Sequence, residues 1–476
     1  MFEQARRTAN RLRDALPPIR LPVLPGVDLS ARYLLAESGV TAGGDWFDTV
    51  VLDDGRVALT VGDVVGHGAR ASWVTDRLCA ALSMALQDGA DPAAAISRLD
   101  KFASRAPGVE AATVCVAVLD PATGELIYCT AGHPAPLIAS TAGTARYVEP
   151  SGGTPLGASG RYQLGHDHLE LDDVLLLYTD GIIERPQSTP DQAVADLLSA
   201  AAAGVAAPQH PAEHVTEQVM ELLAGHSDDV TMLAAHRRTP VMAFMQSGLA
   251  VAATAARFRD EFAAWLRALE PEPVVVIGVE SAVIELMANV VEHAYYDCAP
   301  GQLTLSADLA PSGELAISVQ DRGRWKDSEP AADRGHGLAL AGATVDDLTV
   351  ERTPAGTTAT VRTALTKAPS MLAGEAQPAT ERAEFSAAVT DGKLLVGGPI
   401  DILTARGFDR ILRDVARHAT RPLTVDLSRV THLASAGIRV LAAALRRSDR
   451  KLELVALRGT PADHVLALTQ LPHRTA

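Results

Sequence analysis

Four acidic positions in the first half of the chain sit beside glycines or where an apolar run ends. They are Asp45 in TAGGDWFD, Asp63 in VGDVVGHG, Asp180 in LYTDG, and Asp228 with its neighbour Asp229 in HSDDVT. Carboxylates gathered in one cleft repel one another and call for a cation. Hard oxygen donors with no His or Cys among them select magnesium or manganese over zinc. Two such ions can activate a water and neutralise the charge of a phosphoryl group. Gly62, Gly66 and Gly68 permit close backbone approach, which would let the Val64 carbonyl join the ligands. Taken singly, each Asp serves equally well as a turn or cap residue. The chemistry lies in the set.

A second group lies in AVIELMANVVEHAYY, where Glu285, Asn289 and His293 stand four apart. On a helix that spacing puts them on one face, with Val283, Leu286, Val290 and Val291 free to enter a core. A carboxylate followed one turn later by a carboxamide can orient a water and hold magnesium beside phosphates. Downstream come QDRGR, RGHGLAL and AGTTATV, where glycines admit a nucleotide, Asp321 can accept from an adenine amino group and Thr358 can bond near the base. A third feature is Ser435 in THLASAGIRVLAAAL, at the expected start of a helix. That is ordinary N-cap chemistry, and it is also where free N–H groups and the helix dipole favour a phosphate.

Elements must bring these residues together. The strand-like runs RVALTVGDV, AATVCVAVLD, LIYCTAGH, VLLLYTDGI and DVTMLAAH, with helical tracts between them, predict a β-sandwich with flanking helices for residues 26–238. Helices near 249–270 and 275–296 followed by strands predict an α/β sandwich for 243–366. KAPSMLAGEAQPATE reads as a linker over 367–382, and alternating strands and helices over 383–476 predict a small α/β domain. Residues 1–25 read as a basic amphipathic helix, stopped by Pro17 and Pro18, plus a connection. That helix could pair with a partner helix or with its copy in a homodimer. The expected class is multidomain α/β and α+β.

The length of 476 residues fits about three domains. An apolar fraction of 47% with 21% charged residues describes a globular chain, and a net charge of −16 argues against direct nucleic-acid binding or docking on anionic lipid. Four scattered cysteines without metal-ligand spacing fit a reducing compartment. No apolar run is expected to reach the roughly 18 residues of a membrane span, and no secretory signal is expected, so the reading is cytoplasmic.

In their order, GGDWFD, VGDVVGHG, AGHPAPL, LYTDGIIE and DDVT resemble the RsbU/SpoIIE branch of the PPM metal-dependent serine phosphatases. The resemblance implies two manganese or magnesium ions on Asp45, Asp63, Val64, Asp180 and Asp228, with Asp63 bridging both and central to catalysis. Residues 243–366 resemble RsbW-like GHKL anti-sigma-factor serine kinases. That implies Glu285 as base, Asn289 as magnesium ligand, and ATP held by Asp321, Gly323, Gly335, Gly337 and Thr358. Arg324 and Trp325 depart from the family pattern, standing where a second glycine follows Asp-x-Gly. Residues 383–476 resemble RsbV-like STAS antagonists, with Ser435 as phosphoacceptor and Ala434 replacing the family's acidic residue. Together the three imply a partner switch acting on a sigma factor, in which one module writes a phosphoserine on the STAS domain and another erases it. The alternative is a phosphatase acting on separate STAS proteins, with the GHKL module a sigma-binding scaffold.

Overall fold

The computed structural model describes residues 20–35, 44–64, 69–104, 112–158, 160–185, 188–207, 209–223, 229–296, 298–324, 345–373, 385–390, 392–400, 404–418, 422–433, 435–447, 452–469 and 471–475. The chain divides into two compact units. One contains residues 29–237 and 369–476, and the other contains Arg20–Asp28 with Arg238–Ala368.

In the first unit two sheets form a sandwich. One sheet runs Asp45–Val51, Val57–Asp63, Thr113–Leu119, Glu125–Ala131, Gly165–His168, antiparallel throughout. The other runs Ser370–Ala373, Val27–Leu35, Val230–Arg237, Val174–Tyr178, Leu137–Ser140, Thr144–Tyr147. Helices Ala69–Gln87 and Pro92–Ala103 cover the first sheet, with Leu78, Leu82, Ile96 and Leu99 packed on Val114 and Val116. Helices Pro190–Val205 and Pro211–Met220 cover the second, with Leu197, Val215 and Val219 on Val174, Leu176 and Met232. Central strands are therefore buried on both faces, which is why VALTVGD, TVCVAVL and VLLLY carry almost no polar alternation. The helix starts are local chemistry. Asp91 and Thr189 cap the Ala94 and Gln192 amides, and each is followed by Pro at the first helical position.

Residues 385–475 form a separate sheet in the order Ser386–Thr390, Lys393–Ile400, Leu423–Leu433, Leu452–Ala456, His473–Thr475. Its first pair is antiparallel and the rest are parallel. Parallel neighbours need crossovers, which helices Ala405–His418, Ser435–Arg447 and Pro461–Leu468 supply. Phe408, Leu412, Ile438, Leu441 and Leu466 fill the core against Val425, Leu427 and Leu454. The stretch read as a linker is not featureless. Ser370–Ala373 adds in parallel to Arg32–Leu35 at the sheet edge. The apolar centre of that segment was masked by the Ala, Pro and Glu around it.

The second unit is an antiparallel sheet in the order Phe244–Leu249, Gln302–Leu309, Glu314–Asp321, Gly356–Ala364, Asp347–Thr353. Helices Ala252–Arg267 and Pro273–Asn289 lie on one face. Buried and part-exposed residues alternate along Gln302–Leu309, as a sheet packed on one side requires. Phe258, Phe262, Leu266, Val283 and Leu286 meet Leu305, Ile317 and Val361. The Arg20–Asp28 segment straps this unit: Leu21–Pro22 pairs with Thr366–Lys367, Arg20 meets Glu272 at 3.0 Å, and Lys367 pairs with Asp28. The helical reading of residues 1–16 lies outside the described residues.

One expectation is corrected here. Pro273–Ala294 has the length and mean hydropathy (2.0) of a membrane span. Glu280, Glu285 and Glu292 break up the apolar run to the eye, yet they are too few to lower its average. In the fold it is the core helix of the second unit, with Val279, Ala282, Val283, Leu286 and Met287 buried against the sheet.

Phe258 is fully buried in this core. Phe258→Ala should destabilise the second unit by about 3–5 kcal/mol. Hydrogen-exchange mass spectrometry should show faster exchange along Gln302–Leu309, while Thr113–Leu119 of the first unit keeps its protection.

Candidate functional site

The carboxylates meet where the two sheets of the first unit face each other. Asp45 and Asp63 are directly opposed across adjacent strands, and Asp63 is in turn opposed by Thr113. Directly opposed residues share a face with backbones about 5 Å apart. Asp45, Asp63 and Thr113 thus form one row, each at most 8% exposed. Thr179 reaches this row from the other sheet. Its hydroxyl donates to Asp45 Oδ2 at 2.6 Å and accepts from the Thr231 amide at 2.9 Å. Thr179 also opens the tight turn Asp180–Ile182, which carries Asp180 to the same edge. The Thr179 amide bonds the Thr231 carbonyl, and continuing that antiparallel register brings Asp229 beside Gly181. The Val64 amide extends the ladder onto the Gly44 carbonyl at 2.9 Å. Asp228, Gly66 and Gly68 lie outside the described residues. Gly62 has a role other than the one expected for it: a Cβ there would fall 2.6 Å from the Trp46 indole, which lies across it.

Buried carboxylates aligned on one row, with a third delivered to the same edge, are a donor set that fits a hard divalent cation. Holding the row in place is His133, from AGHPAPL, a residue to which the sequence reading gave no role. It is 3% exposed and bridges the sheets, with Nδ1 2.8 Å from Thr113 Oγ1 and Nε2 3.0 Å from the Tyr178 carbonyl. A carbonyl can only accept, so Nε2 carries the proton and Nδ1 accepts from the threonine hydroxyl. Burial pushes its pKa down to about 3. His133 is therefore a neutral bracket between the strand paired with Asp63 and the strand leading to Asp180. Thr179 and His133 escaped sequence reasoning because both act across the sandwich. Their only local signal was adjacency to a glycine or an aspartate.

In the second unit an open cleft is lined by Leu286, Asn289, Val290, Val319, Asp321, Val350, Arg352, Thr357 and Ala359. Asp321 is 6% exposed, and its Oδ1 accepts from the Gly323 amide at 2.8 Å. Gly323 is needed for close passage, since a Cβ would lie 2.0 Å from the Ala294 carbonyl. Asn289 Nδ2 is buried with no hydrogen-bond partner among the described residues. An orphaned donor lining a cavity together with a deep carboxylate fits a polar ligand such as a nucleotide. Glu285 lies one turn before Asn289, half-buried and outside the lining. His293 does not share that face. The helix widens into a π-helical turn over Val290–Ala294, which breaks the spacing of four, and His293 is exposed beside Glu292.

Thr358, expected beside the base, is not in the lining of this cleft, and its neighbour Thr357 is. Strand side chains alternate, and on Gly356–Ala364 it is Thr357 and Ala359 that face the cavity. The two-residue hairpin loop Pro354–Ala355 sets this register by pairing Thr353 with Gly356 and Arg352 with Thr357. Gly335 and Gly337 lie outside the described residues. Ser435 is the first residue of helix Ser435–Arg447, the next described element after the strand Leu423–Leu433.

The His133 geometry predicts a pH dependence of stability. With a folded pKa of about 3 against an ordinary 6.5, the unfolded chain takes up a proton at this residue first as pH falls. Its contribution is complete above 6.5 and declines toward 3. Urea midpoints for the first unit should drop between pH 7.5 and pH 5, and His133→Gln should flatten that slope while lowering stability at pH 7.5.

Three family models match in succession: Stage II sporulation protein E (SpoIIE) over residues 53–238, the histidine kinase-like ATPase domain over 249–363, and the Mlab STAS domain over 383–471. The crystal structure of the RsbU and RsbW domains of Rv1364c from Mycobacterium tuberculosis is 36% identical with a TM-score of 0.68, covering 74% of this chain and 97% of that one. Phosphoserine phosphatase RsbP of Bacillus subtilis (strain 168) is 27% identical over 170 residues, 32% of this chain and 42% of that protein. Stage II sporulation protein E of Priestia megaterium is 22% identical over 204 residues, 42% of this chain and 34% of that protein. The chain thus spans less than half the length of either of these two relatives. On these matches and on the fold that carries them, the chain belongs to the family of proteins that join an RsbU/SpoIIE-type PPM phosphatase domain to an RsbW-type GHKL ATPase domain, here followed by a STAS domain.

Proposed function

We propose that the phosphatase domain hydrolyses a phosphoserine on a STAS domain and that the ATPase domain phosphorylates the same serine, Ser435 in this chain. The observation that carries the phosphatase half is the buried row of Asp45 and Asp63 with Asp180 at its edge. The assignment places the phosphatase over 26–238, the kinase over 243–366 and the STAS domain over 383–476. Residues 1–25 and 367–382 precede and connect them.

Asp45, Asp63, Asp180, Asp228 and the Val64 carbonyl would hold the ions. Magnesium or manganese bound there would supply charge neutralisation for the phosphoryl group and a lowered pKa for the attacking water. In hydrolysis a water oxygen–phosphorus bond forms and the Ser435 Oγ–phosphorus bond breaks, releasing phosphate. The chain's own work is positional: Thr179 orients Asp45, and His133 sets the distance between the sheets. In the kinase direction Glu285 takes the Ser435 hydroxyl proton. The Oγ–phosphorus bond forms as the bond from the γ-phosphorus to the bridging oxygen breaks, and ADP leaves. Asn289 would hold the magnesium, and Asp321 would accept from the base amino group.

Adding nearly two negative charges at a helix start changes what that surface can dock. In this reading the unphosphorylated STAS domain occupies the ATPase domain, and phosphorylation frees the ATPase domain for a sigma factor. Sharing one chain raises the local concentration of the partners to roughly millimolar where the connection spans the sites. A second reading makes the ATPase domain a sigma-binding scaffold and directs the phosphatase at separate STAS proteins. Arg324 and Trp325 in place of a glycine favour it.

Mass spectrometry of the full chain incubated with ATP and magnesium separates the two. Phosphate should accumulate on Ser435 in Asp63→Ala and be absent in Glu285→Ala. Its removal on adding manganese should be at least about 100-fold slower in Asp63→Ala than in the wild type. An Asp63→Ala chain that stays unmodified would overturn the self-kinase assignment and leave the scaffold reading.

A further inference from the structure

The cavity of the second unit has a polar row whose far end is a cation. Gln320 pairs with Thr358, so Asp321 falls opposite Thr357, and Thr357 pairs with Arg352 on the edge strand. A carboxylate, a hydroxyl and a guanidinium are thus lined up across three neighbouring strands, and all three line the cavity. The row behind it is apolar: Val319, Ala359 and Val350 are matched in the same register. Two inter-strand spacings put the Asp321 and Arg352 backbones about 10 Å apart. A carboxylate that accepts from a base amino group repels phosphates, so the anionic end of the ligand must point away from it. The other end of the row offers a planar, permanently charged fork that matches phosphate oxygens.

We propose that Arg352 binds the phosphate chain of the nucleotide whose base amino group rests on Asp321. This rests on reading the cavity as a nucleotide site and adds a residue that discriminates phosphorylated ligands from the bare nucleoside. The test is calorimetric titration of the full chain with Mg-ATP and with adenosine, comparing wild type with Arg352→Gln and Arg352→Lys. Arg352→Gln should weaken ATP about tenfold or more while leaving adenosine within about twofold, and Arg352→Lys should recover part of the ATP affinity. Retained adenosine binding also reports an intact fold. Unchanged ATP affinity in Arg352→Gln, or an equal loss for ATP and adenosine, overturns the assignment while the nucleotide reading stands. A wild type that binds neither ligand overturns both.

Discussion

Two carboxylates facing each other on one rung of an antiparallel ladder are an electrostatic liability, and the first unit is organised around tolerating it. At about 5 Å and an effective dielectric of roughly 20, two ionised groups repel by about 3 kcal/mol. Asp45 and Asp63 stay together because the strands bearing them are locked by burial on both faces. The second sheet also supplies a hydroxyl to Asp45 and a neutral imidazole beside the row. A protonated histidine in that bracket would relieve the charge and thereby compete with a cation. Burial keeps His133 neutral and leaves the compensation to a ligand.

The second unit solves a different problem with different means. Its cavity arises where one helix, ending in a widened turn, leaves the sheet it packs on. The glycine after Asp321 lets the chain pass against the Ala294 carbonyl. Tyr295 then ties the same region together, donating to the Gln302 carbonyl at 2.7 Å and accepting from the Arg322 amide at 2.8 Å. The chain around Asp321 is therefore held by the Tyr295 hydroxyl and by the close passage at Gly323.

Much of this was legible in the residues. The three-domain order, the sandwich and the parallel C-terminal sheet follow from strand runs and helical tracts. Asp45, Asp63 and Asp180 stand out in the sequence because each lies beside a glycine, and in the fold Asp45 opens a strand, Asp63 ends one and Asp180 opens the turn after another. What stayed hidden depends on parity and on contacts across the fold. Thr357 and Thr358 are chemically identical neighbours, and only the Pro354–Ala355 hairpin register decides which faces the cavity. The same register would have singled out Arg352. His293 looked like the third member of a helical face until the π-helical turn broke the period. His133 and Thr179 work through partners 45 and 134 positions away, beyond the reach of any local pattern.

The parallel strand Ser370–Ala373 has a mechanical consequence. It anchors the chain to the edge of the phosphatase sheet before the STAS sheet begins at Ser386. The leash on the STAS domain is therefore counted from Ala373 and not from the end of the ATPase domain. Whatever path residues 374–384 take, covalent geometry limits their span to about 40 Å. The STAS domain is thus moored to the sandwich that bears the carboxylates, and any search it makes for a binding site starts from that mooring.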